Sequence, residues 1–260
     1  MLESLLKLLG AYWLYEKWLY RNVSRGHMPR HIALILDGNR RWAIQRGWKP
    51  WMGHRYGADR VEEILNDIYE LGIQTVTLYA LSTENLRRSP EELQQLFELI
   101  KERAERLLKN PLIHKREVRV KVLGRLHLLP LDVREVLEQL AKATEKYSKH
   151  YLNIAVAYGG RSEIVDAVRM IAEKVKQGVI TVNSINERTI EEHLYTHGLP
   201  QPDPELIIRT SGEERISNFF LWQSAYSELV FQDVYWPEFR RIDLLRAIRT
   251  FQRRERRHGT

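Results

Sequence analysis

Six short runs rich in β-branched and aromatic residues, each separated from the next by a longer stretch of helical spacing, constrain this chain more than any other feature. They are HIALIL (31–36), QTVTLYA (74–80), EVRVKVLG (117–124), YLNIAVAY (151–158), ELIIRT (205–210) and LVFQDVYW (229–236). The first is apolar along nearly its whole length, as a strand covered on both faces must be. Helical spacing occupies 54–71, 90–108, 130–147, 161–177 and 187–197, with a last helix over 238–257. Ser89 and Pro90 followed by two glutamates mark one helix start. This alternation predicts an α/β domain with a central, mainly parallel six-stranded sheet flanked by helices and joined by right-handed crossovers. Ligands of such sheets sit beyond the carboxyl ends of the strands. Chemistry is therefore expected in the loops after residues 36, 80, 158 and 210.

No repeat or linker divides the chain, so a single domain is expected over 27–260, preceded by an amphipathic helix within 1–26. There Leu2, Leu5, Leu6, Leu9, Tyr12, Trp13 and Leu19 follow helical spacing, with Glu3, Lys7 and Lys17 opposite. Tyr12, Trp13, Tyr15, Trp18 and Tyr20 suit a boundary between apolar and wet surroundings. The helix either packs on protein or meets a membrane surface. With 43% hydrophobic and 29% charged residues, the 260-residue chain can bury a core. Its net charge of +7 invites an anionic partner, but eight arginines between 240 and 257 carry most of the excess. A nucleic-acid platform spread over the whole surface is thereby disfavoured. The absence of cysteine excludes disulfides, thiolate nucleophiles and cysteine-ligated metal clusters. No run approaches the roughly 20 apolar residues of a membrane span, and no signal-peptide pattern opens the chain. A cytoplasmic protein is expected.

The first chemical candidate is LILDGNRRWA (34–43). An aspartate at a strand end, then Gly38 and Asn39, then Arg40 and Arg41, can form a phosphate cradle of backbone N–H groups and guanidinium forks. Asp37 can hold a Mg²⁺ that bridges phosphate oxygens. The plain alternative is an Asp-Gly turn capping a helix. No Walker loop or G-x-G-x-x-G occurs. The second candidate joins ALSTENLRRS (80–89) with RTSGEERISNFFLWQSAYSE (209–228), where Arg209, Arg215 and Ser217 can grip a second diphosphate. Against it stands simple surface pairing of the arginines with Glu213 and Glu214. Glu228 is either a surface carboxylate or a metal ligand.

Taken together, DGNRRWA (37–43), GHRYGA (53–58), LYALSTEN (78–85), NIAVAYGGR (153–161), IIRTSGEERISNFFLWQSAYSEL (207–229) and WPEF (236–239) resemble the cis-prenyltransferases, over nearly the whole chain from Pro29 to Gly259. The resemblance implies an undecaprenyl diphosphate synthase-like fold and a Mg²⁺-dependent transferase. Such an enzyme adds isopentenyl diphosphate units to an allylic diphosphate primer, making a long polyprenyl diphosphate for a glycosyl carrier lipid. It implies that Asp37 is catalytic and binds the metal, with Glu228 as a second metal-associated carboxylate that approaches the partner's site in a homodimer. It places the allylic diphosphate on Gly38, Asn39, Arg40 and Arg41, near Trp42 and His54. Ser82, Thr83, Glu84, Leu86 and Arg88 are further substrate contacts. Arg209, Arg215, Ile216 and Ser217 hold the isopentenyl diphosphate. Asn85 matches a position assigned to proton removal, although a neutral carboxamide is a poor base.

Three departures from the family pattern bear on the primer. Pro50, beside Lys49, stands where an arginine is common; Leu86 stands where many bacterial members have tryptophan; Arg40 stands where many have glycine. With the added N-terminal helix they lean toward an archaeal type that starts from geranylgeranyl diphosphate. The terminal Arg257 and Gly259 match a tail pattern of the family. Apolar stripes on 61–71 (Val61, Ile64, Leu65, Ile68) and 93–108 (Leu93, Leu96, Phe97, Ile100, Leu107) are candidates for a chain tunnel, with ordinary core as the alternative. A non-catalytic partner subunit is disfavoured because the aspartate and loop residues are all present. A nucleic-acid module built on the arginine-rich tail remains the competitor from another class.

Overall fold

The computed structural model describes residues 10–254. Helix α1 (Ala11–Val23) leads into β1 (His31–Ile35), α2 (Asn39–Ile44), α3 (Met52–Glu70), β2 (Thr75–Ser82) and α4 (Pro90–Lys109). There follow α5 (Pro111–Lys115), β3 (Val118–Leu123), α6 (Leu131–Thr144), β4 (His150–Tyr158), α7 (Gly160–Lys176) and α8 (Glu187–Glu191). The chain closes with β5 (Leu206–Arg209), β6 (Glu228–Phe231) and α9 (Arg241–Arg253). All six strands are parallel, in the order β3-β4-β2-β1-β5-β6. The expected α/β sheet is what forms.

The order explains where a ligand can sit. From β1 the chain moves to β2 on one side, whereas from β5 it moves to β6 on the other. The carboxyl ends of β1 and β5 are therefore neighbours whose onward connections diverge, and a crevice opens between them. In register, Ile35 lies opposite Arg209, so the loop bearing Asp37 and the loop bearing Ser211 to Ser217 leave the sheet side by side. The central strands are buried along almost their whole length, which accounts for their near-continuous apolar sequence. The polar interruptions satisfy one another: Thr77 Oγ1 lies 2.7 Å from His31 Nε2 and accepts from Asn153 Nδ2 at 3.0 Å.

Helix α3 rests on the backbone of α2 through two glycines. A Cβ at Gly53 would collide with the Asn39 carbonyl, and one at Gly57 with the Asn39 side chain. Both helices approach this closely only because position 53 and position 57 carry nothing. Helix α4 begins as its sequence announces, with Ser89 accepting from Glu92 N and Pro90 in the first turn.

Several boundaries shift, each for a visible reason. The run expected over 229–236 pairs only to Phe231. Beyond it, the carbonyls of Gln232 and Val234 accept from Gly212 and Ser211, and Trp236 N donates to the Asp37 carbonyl. The helix expected over 187–197 stops at Glu191, and shortly after it Tyr195 N donates to the buried Glu163 carboxylate instead of a helical carbonyl. The last helix starts at Arg241, where Asp243 accepts from Arg240 N. Four arginines of this stretch stack on aromatic rings. Arg240, Arg241, Arg246 and Arg249 lie 4.9 to 5.9 Å from the rings of Tyr12, Tyr20, Tyr15 and Trp18 on α1. Residues 1–9, with Leu2, Leu5, Leu6 and Leu9, and residues 255–260, with Arg257 and Gly259, lie outside the described residues. No helix among the described residues is long and apolar enough to cross a membrane.

Helix propensity alone favours Ala over Gly by about 1 kcal/mol. Gly53→Ala is nevertheless expected to destabilise the protein by about 2 kcal/mol, because overpacking outweighs that gain. Urea unfolding measures the difference, and a stabilised variant would refute the close approach.

Candidate active site

Asp37 sits just past β1, where the chain must turn sharply. Gly38 makes the turn at φ +98°, and a side chain there would strike Tyr235. The Asp37 backbone is fixed on both sides. Its N–H donates to Thr210 Oγ1 at 3.1 Å, and its carbonyl accepts from Thr210 Oγ1 and Trp236 N at 2.7 and 3.0 Å. Its carboxylate accepts from Gly38 N through Oδ1 at 2.6 Å and from Arg209 Nη2 through Oδ2 at 2.7 Å. Arg41 Nη2 stands 3.4 Å from Oδ1. Partial burial works to raise the Asp37 pKa, but the Arg209 bond and charge, the Gly38 N–H and the Arg41 charge outweigh it and hold the carboxyl below its ordinary range.

Arg209 ends β5 and is 4% exposed. Besides Asp37, its guanidinium donates to Ser217 Oγ at 2.6 Å and to the Arg215 carbonyl. Its Nε is buried without a partner. The loop that wraps it is strained: Ser211, Ser217, Asn218 and Phe220 all adopt positive φ, a conformation that costs a non-glycine residue energy. What holds it is anchored below. Phe219 and Phe220 are fully buried and stack on each other, and Phe219 stacks on Tyr79. Asn218 caps the start of α7, its carbonyl accepting from Gly160 N and its Oδ1 from Arg161 N.

Arg41 reaches across to Ser211 Oγ at 2.7 Å and to Glu213 at 2.9 Å. Glu213 also pairs with Arg215, whose side chain remains 62% exposed. The expected convergence of Arg209 and Ser217 is therefore present, whereas Arg215 meets Arg209 through its carbonyl and directs its guanidinium to the rim. A second polar group faces the first. Glu92 Oε1 lies 2.9 Å from Arg88 Nη1, 3.4 Å from Arg40 Nε and 3.6 Å from His54 Nε2. The contact with His54 and the charges of Arg88 and Arg40 hold the Glu92 carboxyl below its ordinary range. Burial, with the Arg88 and Arg40 charges, lowers the His54 pKa and favours the neutral imidazole.

Between the two groups opens a cavity of about 620 Å³. Asp37, Asn39, His54, Asn85, Arg88 and Arg209 line its polar mouth. Beyond them the wall is apolar: Ala58, Val61 and Leu65 from α3, Leu96, Leu99, Ile100 and Leu107 from α4, Leu137 from α6, and Leu78, Leu152 and Ile154 from the sheet. The stripes expected to form a tunnel thus divide. Val61, Leu65, Leu96, Ile100 and Leu107 line the cavity, whereas Ile64 and Ile68 belong to the core.

Among the other expected residues, Ser82 and Glu84 also line the cavity, while Thr83 bonds Glu84. Asn85 is tied to Ser82 in both directions, its Oδ1 accepting from Ser82 N and its N–H donating to Ser82 Oγ. Leu86 packs on the core. Trp42 packs edge-on against Trp48 and at a tilt against Tyr56, behind α2, and does not line the cavity. Ile216 contributes its carbonyl to Phe219 N. Glu228 lies apart from Asp37 within one chain. It opens β6 in register with Leu206, at the amino ends of the strands, and bonds Arg254 at 2.8 Å, whereas Asp37 follows the carboxyl end of β1. Among the described residues no three acidic, histidine or cysteine side chains cluster as a protein-only metal cage. Glu92, Thr210 and Trp236 were not singled out by sequence. Glu92 reads there as a helix-capping acid, and Thr210 and Trp236 lie inside quoted motifs that do not reveal their hold on the Asp37 backbone.

The arrangement is an apolar pocket with a cationic mouth and one carboxylate, suited to a long apolar molecule with a polyanionic head. The family model described as undecaprenyl diphosphate synthase matches residues 35–259. A tritrans,polycis-undecaprenyl-diphosphate synthase (geranylgeranyl-diphosphate specific) of Methanopyrus kandleri is 56% identical over 249 residues, covering 96% of this chain and 91% of the relative. An isoprenyl transferase of Thermus thermophilus is 50% identical over 252 residues, covering 95% of each. The crystal structure of lavandulyl diphosphate synthase from Lavandula x intermedia in complex with dimethylallyl diphosphate superposes with a TM-score of 0.86 at 34% identity, covering 90% of this chain and 99% of that one.

Because the folded-state pKa of Asp37 is depressed, its ionised form contributes stability above the ordinary carboxylate range, and that contribution fades as pH falls through the lowered value. Asp37→Asn is expected to cost about 2 kcal/mol at neutral pH, with the gap to the parent closing below about pH 4. Chemical denaturation at a series of pH values checks this, and a gap independent of pH would refute the charged pair.

Proposed function

The chain belongs to the undecaprenyl diphosphate synthase family, and on that premise we propose how its residues divide the work of adding isopentenyl diphosphate in cis to an allylic primer. The observation that carries the reading is the Asp37–Arg209 pair at the mouth of an apolar cavity. The allylic diphosphate occupies the Gly38, Asn39, Arg40 and Arg41 turn, with His54 and Arg88 behind it. The isopentenyl diphosphate takes Arg209, Ser217 and, by rotation of its exposed side chain, Arg215. Breaking the allylic C–O bond places negative charge on the leaving diphosphate, which guanidinium and backbone N–H groups already in place can stabilise. The apolar wall keeps water from the allylic cation and houses the lengthening chain.

Mg²⁺ fits this donor set. It binds through one or two carboxylates and keeps its remaining ligands as water and phosphate oxygens, so Asp37 beside a diphosphate suffices. When bound it supplies positive charge to the departing group. Asn85, locked to Ser82, orients substrate rather than removing a proton.

The relative from Methanopyrus carries geranylgeranyl-diphosphate specificity in its name, which together with Arg40, paired with Glu92 beside the mouth, supports the same primer here. The polyprenyl diphosphate product would serve as the precursor of a glycosyl carrier lipid. A homodimer is supported by exposed apolar residues outside the site, Val165, Val168 and Met170 on α7. In that dimer Glu228 would approach the other protomer's metal. The reaction belongs in the cytoplasm, with the product destined for a lipid phase.

Labelled isopentenyl diphosphate, Mg²⁺ and geranyl, farnesyl or geranylgeranyl diphosphate in parallel, resolved by thin-layer chromatography, test the reading. Geranylgeranyl diphosphate is expected to be the preferred primer, and a clear preference for farnesyl would discard that specificity. Asp37→Ala is expected to lower turnover by about a thousandfold with an unchanged circular dichroism spectrum. Undiminished turnover would overturn the role of Asp37.

A further inference from the structure

Helix α1 has two faces with opposite fates. Its inner face is fixed: Leu19 and Val23 are fully buried, and Tyr12, Tyr15 and Tyr20 pack against the core beside α9. Its outer face ought to be polar, as the solvent side of a surface helix usually is. Instead Trp13 is 62%, Leu14 59% and Trp18 47% exposed. Lys17 and Arg21 are exposed along the same face, following Trp13 at the four-residue spacing that stacks side chains on one side of a helix, and Arg25 is exposed in the turn just after it. Glu16, the one acid in the helix, is partly covered. Lys17 Nζ lies 4.7 Å from the Trp13 ring and Arg249 4.9 Å from that of Trp18, so cations and indoles are interleaved.

We propose that this outer face docks the protein on an anionic lipid surface. Indoles and a leucine standing proud among lysine and arginine match the boundary between headgroups and acyl chains. The rings enter the apolar layer, while the cations stay at the level of lipid phosphates. Charge also decides against a second copy on this face. A two-fold contact would set Lys17 and Arg21 of one chain against the same residues of the other, and juxtaposed like charges oppose association. The proposal draws on the functional reading in one respect only, that a polyisoprenoid product has its natural solvent in a bilayer. The stacking of α9 arginines on the α1 aromatics makes the docking rigid, since the helix that meets the lipid is bonded to the helix that covers β5 and β6.

Co-sedimentation of the full chain with vesicles tests the surface without using the reaction. Vesicles of phosphatidylcholine alone are compared with equimolar phosphatidylcholine and phosphatidylglycerol. The parent protein is expected to bind the anionic vesicles at least about tenfold more tightly than the neutral ones, and to weaken markedly at about 0.5 M salt. Trp13→Ser with Leu14→Ser, and separately Lys17→Glu with Arg21→Glu, are each expected to lose at least about tenfold in vesicle affinity. Incorporation of isopentenyl diphosphate onto a soluble primer in detergent should be unchanged in both pairs. Failure of the parent protein to bind, or equal binding by both variant pairs, overturns the proposal. So does a fall in oligomeric mass of the Trp13, Leu14 variant in sedimentation velocity, which would assign the face to another copy of the chain. An inactive parent protein that still binds vesicles in this pattern would sink the functional reading alone.

Discussion

The whole site depends on one ion pair made between neighbouring strands. Asp37 and Arg209 stand at the ends of β1 and β5, whose onward connections part, and their 2.7 Å contact spans that crevice. Neither residue is free to move. Thr210 and Trp236 hold the Asp37 backbone, and the sheet register places Arg209 opposite Ile35. Donors fixed before charge develops cost no reorganisation when it appears. The rest of the loop architecture maintains this. Four strained residues between 211 and 220 bring Ser217 and the Arg215 carbonyl onto Arg209. That strain is offset by the burial of Phe219 and Phe220 and by the cap that Asn218 gives to α7.

The fold was legible because its signals are local. An apolar run of strand length bounded by helical spacing needs no tertiary information, and β1, β3 and β4 follow it within a residue or so. Errors arose where the backbone was diverted to a distant partner. The carbonyls of Gln232 and Val234 serve the Ser211 turn instead of a longer β6, and Tyr195 serves Glu163 instead of a longer α8. Among site residues, Asp37, Asn39, Arg209 and Ser217 could be found because family motifs retain them in order. Glu92 could not, since a glutamate in the first turn of a helix already has an ordinary explanation there. The arginines of the last stretch had a second role that sequence does not display: four of them stack on aromatic rings of a helix more than 200 residues earlier.

The cavity shows a similar division of labour between helices that touch in two ways. Helices α3 and α4 both start beside the polar cluster of His54 and Glu92 and turn apolar faces toward the space between them. Along their outer edge they are joined by ion pairs: Arg55 with Glu102, Arg103 with Asp59 and Glu62, and Arg106 with Glu62. A wall made by apolar packing of the two helices would fill the space it encloses. Long charged side chains that bridge at the rim leave the interior open and apolar, and α3 is seated through glycines on the opposite side, where it meets α2.

The arginines that suit a diphosphate are each already shared with a carboxylate: Arg209 with Asp37, Arg41 and Arg215 with Glu213, Arg88 and Arg40 with Glu92. A guanidinium offers five donors in a fixed fork, so it can donate to a phosphate oxygen without surrendering its first partner. Where it must surrender one, the acid that lets go is left beside a polyanion, and repulsion between them favours departure. Glu213 and Glu92 orient these cations before a substrate arrives, and on the proposed reading the same pairs would weaken the grip on diphosphate enough for it to leave. Without such acids, a site with this many arginines would bind substrate and released diphosphate alike, and tight binding of both contributes nothing to turnover.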